Sequence, residues 1–283
     1  MNKVLILSDS TCDLSEELLE KYDIKIVPLY INIGDNIYQD LVELTTEKMY
    51  DLIAQNVGFP KSSATTPNDF EEVFRKYIDE GYDILYTGIS STLSCTLQNA
   101  YIAKSNFDDD RIYLVDSKNL STGIGLLVLK AAKLREQGLS AKEIAAELEN
   151  IVPRVRSQFV IEKLDYLYKG GRCSGMTYFI GNAIKIKLYI KVIDGKMEVA
   201  KKVIGSVKKG LNFMMEEFVE QFDNLDKEFV FITDSMADES KKYIKDKLQD
   251  KFVEFENVCE TGAGCVISSH CGSGCIGILY IVK

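Results

Sequence analysis

The chain has 283 residues, of which 46% are hydrophobic and 27% are charged, and its formal net charge is −9 at pH 7. This composition is typical of a folded globular protein and excludes extended disorder. The length exceeds that of one typical domain, so we expect two. The acidic surplus would repel nucleic acid phosphates and anionic membrane surfaces, so neither is expected as a main partner.

The first residues carry no export signal that we can identify. The segment MNKVLILSDSTCD contains one lysine and a short apolar run, far below the roughly 20 residues that span a bilayer. We therefore expect a cytoplasmic protein without stable membrane insertion, acting as a monomer. The chain contains seven cysteines, and an odd number without export favours reduced thiols over a disulfide framework.

A cluster of potential metal ligands lies near the end of the chain. Cys259, Cys265, Cys271 and Cys275 surround His270, the only histidine. Their spacing, C-x5-C-x5-C-x3-C, lacks the paired CxxC motifs of structural zinc sites. The alternative, small buried residues in strands and turns, is favoured. We predict no metal and no cofactor.

The first half of the sequence alternates strands and helices. Asp13 with Glu16 resembles a capping box, and Thr66, Pro67 and Asp69 form a typical helix start. We predict strands at residues 4–7, 24–33, 83–89 and 111–115, and helices ending at residue 22 and spanning 66–81, 92–104, 121–137 and 140–151. This order predicts an α/β domain with a parallel sheet flanked by helices, at residues 1–156.

The second half shows a different pattern. Asp194-Gly195 between two apolar segments indicates a hairpin. We predict strands at 159–162, 187–193, 197–203 and 229–233, helices at 206–222 and 238–250, and two glycine-separated strands near the end. The prediction is an α+β domain with a mostly antiparallel sheet, at residues 157–283.

Two hydroxyl-rich segments precede predicted helices. SSATTP spans residues 62–67, and ISSTLSCT spans residues 89–96. Free N–H groups at helix starts favour anions, although serine and threonine are common helix caps in any protein. The second segment follows a predicted parallel strand, where ligands of α/β proteins bind, and this position favours an anion site.

Three predicted strands end in Asp-Ser, at Asp9, Asp116 and Asp234. These aspartates could hold a metal in a hydrolase or phosphatase, or they could be turn and cap residues. Nothing in their spacing makes two of them converge, which favours caps.

His270 and Arg172 are the remaining candidates for chemistry. His270 could act as a base beside Ser94 or Cys95, but no nucleophile elbow is present, and a hydrogen-bonding role is favoured. Arg172 follows two glycines, where a guanidinium could meet a carboxylate or phosphate. A surface salt bridge is the alternative, and the residues alone leave this choice open.

Taken together, these segments resemble the DegV family along essentially the whole chain. The resemblance is carried, in family order and spacing, by ILSDSTCDL, YDIKIVPLYI, KSSATTPNDF, GISSTLSCTLQNA, VDSKNLSTG, LDYLYKGGRCSG, GNAIKIKLYI and SSHCGSGCIGILY. Members of this family bind fatty acids, and in several bacteria they present them to a fatty acid kinase.

The resemblance implies a two-domain carrier that is not an enzyme by itself. It would hold one long-chain fatty acid, such as hexadecanoate, in a buried tunnel, and the kinase would convert the acid to an acyl phosphate for phospholipid synthesis. Arg172 and His270 would lie at the head-group or phosphoryl end. The residues implied for the carboxylate are Ser62 and Ser94, with Ser63, Thr65, Ser91 and His270 as further candidates.

Two residues depart from the family pattern. Cys95 replaces the glycine usual after Ser94, and Ile204 stands where many relatives carry an arginine that helps to engage the kinase. Docking to a kinase is therefore a weaker expectation than lipid binding. Two alternatives stay open: a metal-dependent small-molecule hydrolase or phosphatase using the strand-end aspartates, and a regulatory module that responds to lipid.

Overall fold

A computed structural model describes residues 2–108, 110–172 and 186–283. Over this part of the chain, no helix is long and apolar enough to cross a lipid bilayer. The strands are β1 (Lys3–Asp9), β2 (Ile24–Val27), β3 (Tyr30–Ile33), β4 (Asn36–Gln39), β5 (Lys61–Ser63), β6 (Tyr82–Gly88), β7 (Ile112–Asp116), β8 (Val155–Ile161), β9 (Ile186–Ile193), β10 (Lys196–Ile204), β11 (Phe229–Ser235), β12 (Asn257–Gly262) and β13 (Cys275–Ile281). The helices are α1 (Glu16–Lys21), α2 (Thr46–Ala54), α3 (Pro67–Asp79), α4 (Thr96–Lys104), α5 (Thr122–Glu136), α6 (Ala141–Ile151), α7 (Leu164–Gly170), α8 (Val207–Glu220), α9 (Asp238–Phe252) and α10 (Cys265–Cys271).

The first sheet is parallel throughout, in the order β2-β1-β6-β7. Helices α3 and α4 pack on one face, where Phe70 and Phe74 are fully buried, and α5 and α6 pack on the other. The predicted parallel sheet covered by helices is confirmed. Because β1, β6 and β7 end at Asp9, Gly88 and Asp116, the loops that follow them emerge at one edge of the sheet.

The helix starts were predicted with mixed success. Thr66 caps α3, and Pro67 is the first residue of the helix, as the sequence indicates. The Asp69 side chain accepts a bond from the Thr66 N–H and so completes the capping box. The predicted cap of α1 was wrong. Ser15 accepts the bond from Leu18 N–H, whereas Asp13 adopts a left-handed conformation with φ 51°.

The strand predicted at residues 24–33 is two strands in two different sheets. Pro28 lies between β2 and β3, and it has no N–H to continue a ladder, so the chain leaves the parallel sheet there. β3 then forms a small antiparallel sheet with β4 and β5, in the order β4-β3-β5. Neither β5 nor α2 was predicted. This small sheet matters because β5 carries Ser62.

The other large sheet has the order β10-β9-β8-β13-β11-β12. All neighbours are antiparallel except β11 and β12, so the mostly antiparallel prediction is confirmed. Asp194 and Gly195 both have positive φ, as a tight hairpin turn requires. Helices α8 and α9 cover the outer face. The short helices α7 and α10 were not predicted, and α10 corrects the expectation of strands and turns at Cys265 and Cys271.

Helix α5 joins the two large sheets. One apolar cluster contains Ile124 of α5, strand residues of the parallel sheet, and Phe231 and Leu279 of the antiparallel sheet. Gly123 permits this packing, because a Cβ there would overlap the side chains of Asn119 and Ser157. The core is therefore continuous between the halves, and the domain boundary near residue 156 stays a prediction.

Candidate functional site

A cavity of about 340 Å³ lies between the parallel sheet and the inner face of the antiparallel sheet. Its volume lies within the range of small-molecule sites. The exposed wall is mainly apolar, although twelve of its 24 lining residues carry a hydroxyl, thiol, imidazole or charged group. The lining residues are Leu29, Ser62, Ser63, Ala64, Ile89, Leu93, Ser94, Cys95, Leu120, Ser121, Phe159, Arg172, Met197, Thr233, Asp234, Ser235, Ala263, Val266, Ile267, His270, Cys271, Cys275, Gly277 and Leu279.

The floor of the cavity follows from strand alternation. Every second residue of β13 faces inward, which places Cys275, Gly277 and Leu279 along the floor beside Phe159 of β8. A Cβ built at Gly277 would lie 2.7 Å from the carbonyl oxygen of Gln158. The close approach of β13 to β8 therefore requires glycine at this position.

Ser62 and His270 meet at a polar part of the wall. The Oγ of Ser62 lies 2.8 Å from Nε2 of His270. β5 holds Ser62 through its pairing with Ile31 of β3, and His270 is the penultimate residue of α10. The two halves of the chain therefore contribute one residue each to this pair, across 208 positions of sequence.

His270 is held as a neutral imidazole at pH 7. Burial, and next the charge of Arg172, lower its pKa to about 4. Its Nδ1 faces Gly170, where an added Cβ would overlap the ring. This buried nitrogen has no hydrogen-bond partner in the described part of the chain. The ring is thus packed on one side by glycine and bonded on the other by Ser62.

Two further predicted hydroxyls line the cavity. Ser94 Oγ lies 2.8 Å from Oγ1 of Thr96 and accepts a bond from the Thr96 N–H. Ser63 Oγ accepts from the side-chain amide of Asn32. α4 begins at Thr96, not at residue 92 as predicted, because residues 93 and 94 turn back onto the carbonyl of Ser90. Ser94 and the exposed Cys95 therefore stand just before the helix, at the cavity wall.

Thr65 and Ser91 lie outside the cavity lining. Thr65 is fully buried, and its hydroxyl donates to the carbonyl of Pro28. Ser91 is exposed, and its hydroxyl donates to Asp116 at 2.6 Å. The structure thus brings Ser62, Ser63, Ser94 and His270 to one cavity and leaves these two hydroxyls in structural contacts.

Arg172 lines the cavity and is exposed to solvent. Its Nη1 donates to the carbonyl of Gly170 at 2.8 Å, directly behind the His270 ring. Its guanidinium thus lies at the edge of the site, where its charge acts on His270.

The strand-end aspartates act separately. Asp9 is buried and accepts bonds from Tyr86 and the Ile89 N–H, while Asp116 binds Ser91 and the Lys118 N–H. Asp234 accepts from Lys241 at 2.5 Å and from the Ala237 N–H. Asp116 and Asp234 thus accept local turn contacts, as predicted, whereas Asp9 caps a short turn through the Thr11 N–H and also binds residues across the sheet.

The cysteines near the end of the chain are also dispersed. Cys259 lies on β12, the Cys265 thiol donates to the carbonyl of Leu44, and Cys271 and Cys275 face the cavity. Across residues 2–108, 110–172 and 186–283, no three histidine, cysteine or acidic side chains form a group suited to a metal ion.

Sequence reasoning missed two carboxylates that hold α10. Asp13 accepts from the Gly264 N–H at 2.9 Å, and Asp40 accepts from the Cys265 N–H at 2.8 Å. Burial raises the pKa of both, that of Asp40 to about 6. Because α10 carries His270, these acids of the first half position a site residue of the second. No local pattern marks them, since their partners are more than 200 residues away.

The fold and site define an α/β protein with two large sheets and a mainly apolar cavity that carries polar groups in its wall. The family model described as "Uncharacterised protein, DegV family" matches residues 3–283, and the chain belongs to this family. A DegV domain-containing protein of Clostridium acetobutylicum is 36% identical over 286 residues, covering 100% of both chains.

Solved structures agree with this assignment. A DegV family protein from Thermus thermophilus, described by its fatty acid binding, superposes with a TM-score of 0.92 at 28% identity and 100% coverage of both chains. A stearic acid-binding protein from Eubacterium ventriosum has a TM-score of 0.86 at 26% identity, covering 100% of this chain and 99% of its own. The predicted family and fold are confirmed.

Proposed function

We propose that this protein binds one long-chain fatty acid, with the acyl chain in the cavity and the carboxylate beside Ser62, Ser94 and His270. The observation that carries the proposal is the Ser62–His270 pair, 2.8 Å apart, in the wall of a mainly apolar cavity. Such a wall suits a molecule with one polar end and a long apolar remainder. Relatives described as fatty-acid-binding proteins support the same ligand class.

The acyl chain supplies most of the binding free energy in this proposal. An acid of about sixteen carbons has some fourteen methylenes, and burial of each contributes about 0.8 kcal/mol, or about 11 kcal/mol in total. Association and ordering cost about 4 kcal/mol or more. The remainder, at most about 7 kcal/mol, corresponds to a Kd of about 10 μM, and contacts to the head group would add to it.

The polar groups then fix the orientation of the acid. A carboxylate buried without partners is costly, so the hydroxyls of Ser62, Ser63 and Ser94 would donate to its oxygens. A neutral His270 can donate one N–H, from Nε2. Arg172 adds positive charge at the exposed edge. Thr65 and Ser91 have no part in this arrangement, because their hydroxyls donate elsewhere.

We further propose that the protein is a non-catalytic cytoplasmic carrier that presents the carboxylate to a fatty acid kinase. Arg172 supports this role, since an exposed guanidinium at the cavity edge suits a phosphoryl group. The cavity would keep the product, an acyl phosphate, away from water until transfer to an acyltransferase. Ile204 is 71% exposed on β10, so the position is available to a partner although it lacks the expected charge.

A hydrolase is the second candidate, because Ser62 and His270 have the spacing of a nucleophile and its base. Two features disfavour it. The lowered pKa makes His270 a weak base, and no acid orients Nδ1 within the described residues. We therefore expect no hydrolysis of p-nitrophenyl acyl esters beyond the background rate.

Mass spectrometry of the purified protein tests the proposal. Under native conditions we expect an added mass of one fatty acid, which is released by denaturation and organic extraction. Protein stripped of lipid should take up one equivalent of a C14 to C18 acid. A protein that stays empty when offered these acids would refute lipid binding. Phosphoesters and metal ions would then be the ligands to test.

A further inference from the structure

The cavity floor contains a pair of thiols that the carrier function does not use. Cys271 ends α10, Cys275 begins β13, and both line the cavity. Each residue is 7% exposed, and both thiols are reduced. The side chains interact with each other. The chain thus places two thiols side by side where the acyl chain would pass.

The turn between the two cysteines holds them in this position. Gly272 and Gly274 have positive φ values of 73° and 88°, which favour glycine and let the chain reverse within three residues. The Gly272 N–H donates to Ser268 and the Gly274 N–H donates to Ser235, both through backbone carbonyls. The turn therefore holds the two elements that carry the interacting thiols next to each other.

The cavity gives access to the pair. Most of each side chain is packed in the apolar cluster around Phe159, Leu188 and Ile190, and both residues line the cavity. A reagent that enters the cavity can therefore reach the thiols. An oxidant attached to an acyl chain would be concentrated there, whereas a polar oxidant in bulk water would not.

We infer that Cys271 and Cys275 form an oxidation site for fatty acyl hydroperoxides that enter the cavity. The inference rests on the proposed lipid binding. The sulfur of Cys275 attacks the hydroperoxide, an S–O bond forms as the O–O bond breaks, and the lipid leaves as an alcohol that takes up the thiol proton. Cys271 then attacks the sulfenic acid, and a disulfide forms with release of water. Two electrons pass from the two thiols to the peroxide.

The interaction with Cys275, and then burial, hold the pKa of Cys271 well above its usual value. Cys271 is assigned here as the resolving thiol, and the Cys271→Ser variant tests this order of attack. Cys12 and Cys265 are also buried but do not line the cavity, and Cys259 is half-buried on β12. These three thiols therefore serve as internal references for oxidation outside the cavity.

The test uses reduced, lipid-free protein with linoleic acid hydroperoxide, and in parallel the same concentration of hydrogen peroxide. Peptide mapping should show a Cys271–Cys275 disulfide forming about tenfold faster or more with the lipid hydroperoxide. Hexadecanoate should suppress the reaction by occupying the cavity. In Cys271→Ser, dimedone should trap the sulfenic acid on Cys275. Cys259→Ser is the matched control and should form the disulfide at the rate of the unmodified protein.

Native mass spectrometry of the same samples separates the possible failures. One bound acyl chain with the pair still reduced, or equal rates with both oxidants, would overturn the inference and leave lipid binding intact. Absence of any bound acyl chain would overturn both.

Discussion

The two ends of α10 differ in how completely their polar groups are hydrogen-bonded. At its start, Asp13 and Asp40 accept the free N–H groups, and the hydroxyl of Thr46 donates to the Ala263 carbonyl at 2.7 Å. At its end, His270 has one bonded nitrogen and one without a partner among the described residues. Buried polar groups are normally all satisfied, so the second end is the exception.

This difference separates an anchor from a binding end. The first end is attached to the opposite half of the chain by buried carboxylates, which fixes the position of the helix. At the second end, Nε2 of His270 lies against Ser62 in the cavity wall, whereas Nδ1 packs against Gly170. A ligand can therefore be bound at the second end without disturbing the first.

Removal of the anchor should have the largest effect. Asp40→Ala leaves the N–H groups of Cys265 and Val266 and the hydroxyl of Ser10 without their acceptor. Asp40→Asn keeps a carbonyl oxygen in the same place. Because each unpaired buried donor costs about 1–3 kcal/mol, we expect the alanine variant to be about 3 kcal/mol less stable than the asparagine variant.

Urea denaturation at pH 7 measures this difference, and Asp35→Ala, at an exposed residue, provides the control. Equal stabilities of the two Asp40 variants would show that the carboxylate does not anchor the helix.

The anchor should also give the protein an unusual dependence on pH. Burial raises the pKa of Asp40 from 3.8 to about 6, so the folded state binds a proton more tightly than the unfolded state. The resulting stability is fully present below pH 3.8 and is lost as the pH rises through 6. Between pH 4.5 and pH 7 this group should lower the free energy of unfolding by about 2 kcal/mol.

Asp9 and Asp13 contribute in the same direction, because burial also raises their pKa. Asp40→Asn should therefore reduce the slope without abolishing it, in urea titrations across this pH range. An unchanged slope in Asp40→Asn would contradict the assignment.

At the binding end, the hydroxyls should determine how well lipid is retained. Ser62→Ala combined with Ser94→Ala removes two donors from the proposed carboxylate site, and we expect a loss of about 2 kcal/mol in binding free energy. Isothermal titration with hexadecanoate measures it. Ser105→Ala, whose hydroxyl donates to the Ile102 carbonyl on the surface, is the matched control. Normal retention in the double variant would place the carboxylate elsewhere.

The same contrast explains what the sequence could predict. The parallel sheet, the α3 capping box and the Asp194-Gly195 hairpin depend on neighbours in sequence, and they were predicted. Ser62, within SSATTP, and His270 were separate candidates in the sequence, and nothing local indicates that they touch. The structure adds the contact between them but does not test their role.

The errors have a common physical cause. Asp13 looked like a local cap, but its carboxylate binds Gly264 across the fold, and Ser15 caps α1 instead. α10 is seven residues long, which is too short to show a clear helical pattern in its own sequence. Hydrogen bonds to the distant residues Asp13 and Asp40 hold its start. Contacts between segments that are distant in sequence determine these features. The pattern of neighbouring residues does not reveal such contacts.

The smallest expected effect is a shift in the titration of His270, and it tests the binding end directly. As the only histidine, it gives one resolved Hε1 signal in a proton NMR spectrum. In lipid-free protein we expect a midpoint near its lowered pKa of about 4. Arg172→Gln should raise this midpoint, because a neighbouring positive charge is removed.

A bound carboxylate favours the imidazolium, so hexadecanoate should also raise the midpoint. By linkage, the affinity for the acid should then increase as the pH falls through the bound-state pKa. Hexadecanol, which has the same chain without the charge, should leave the midpoint almost unchanged. A midpoint that responds equally to the acid and the alcohol would show that the head group lies away from His270.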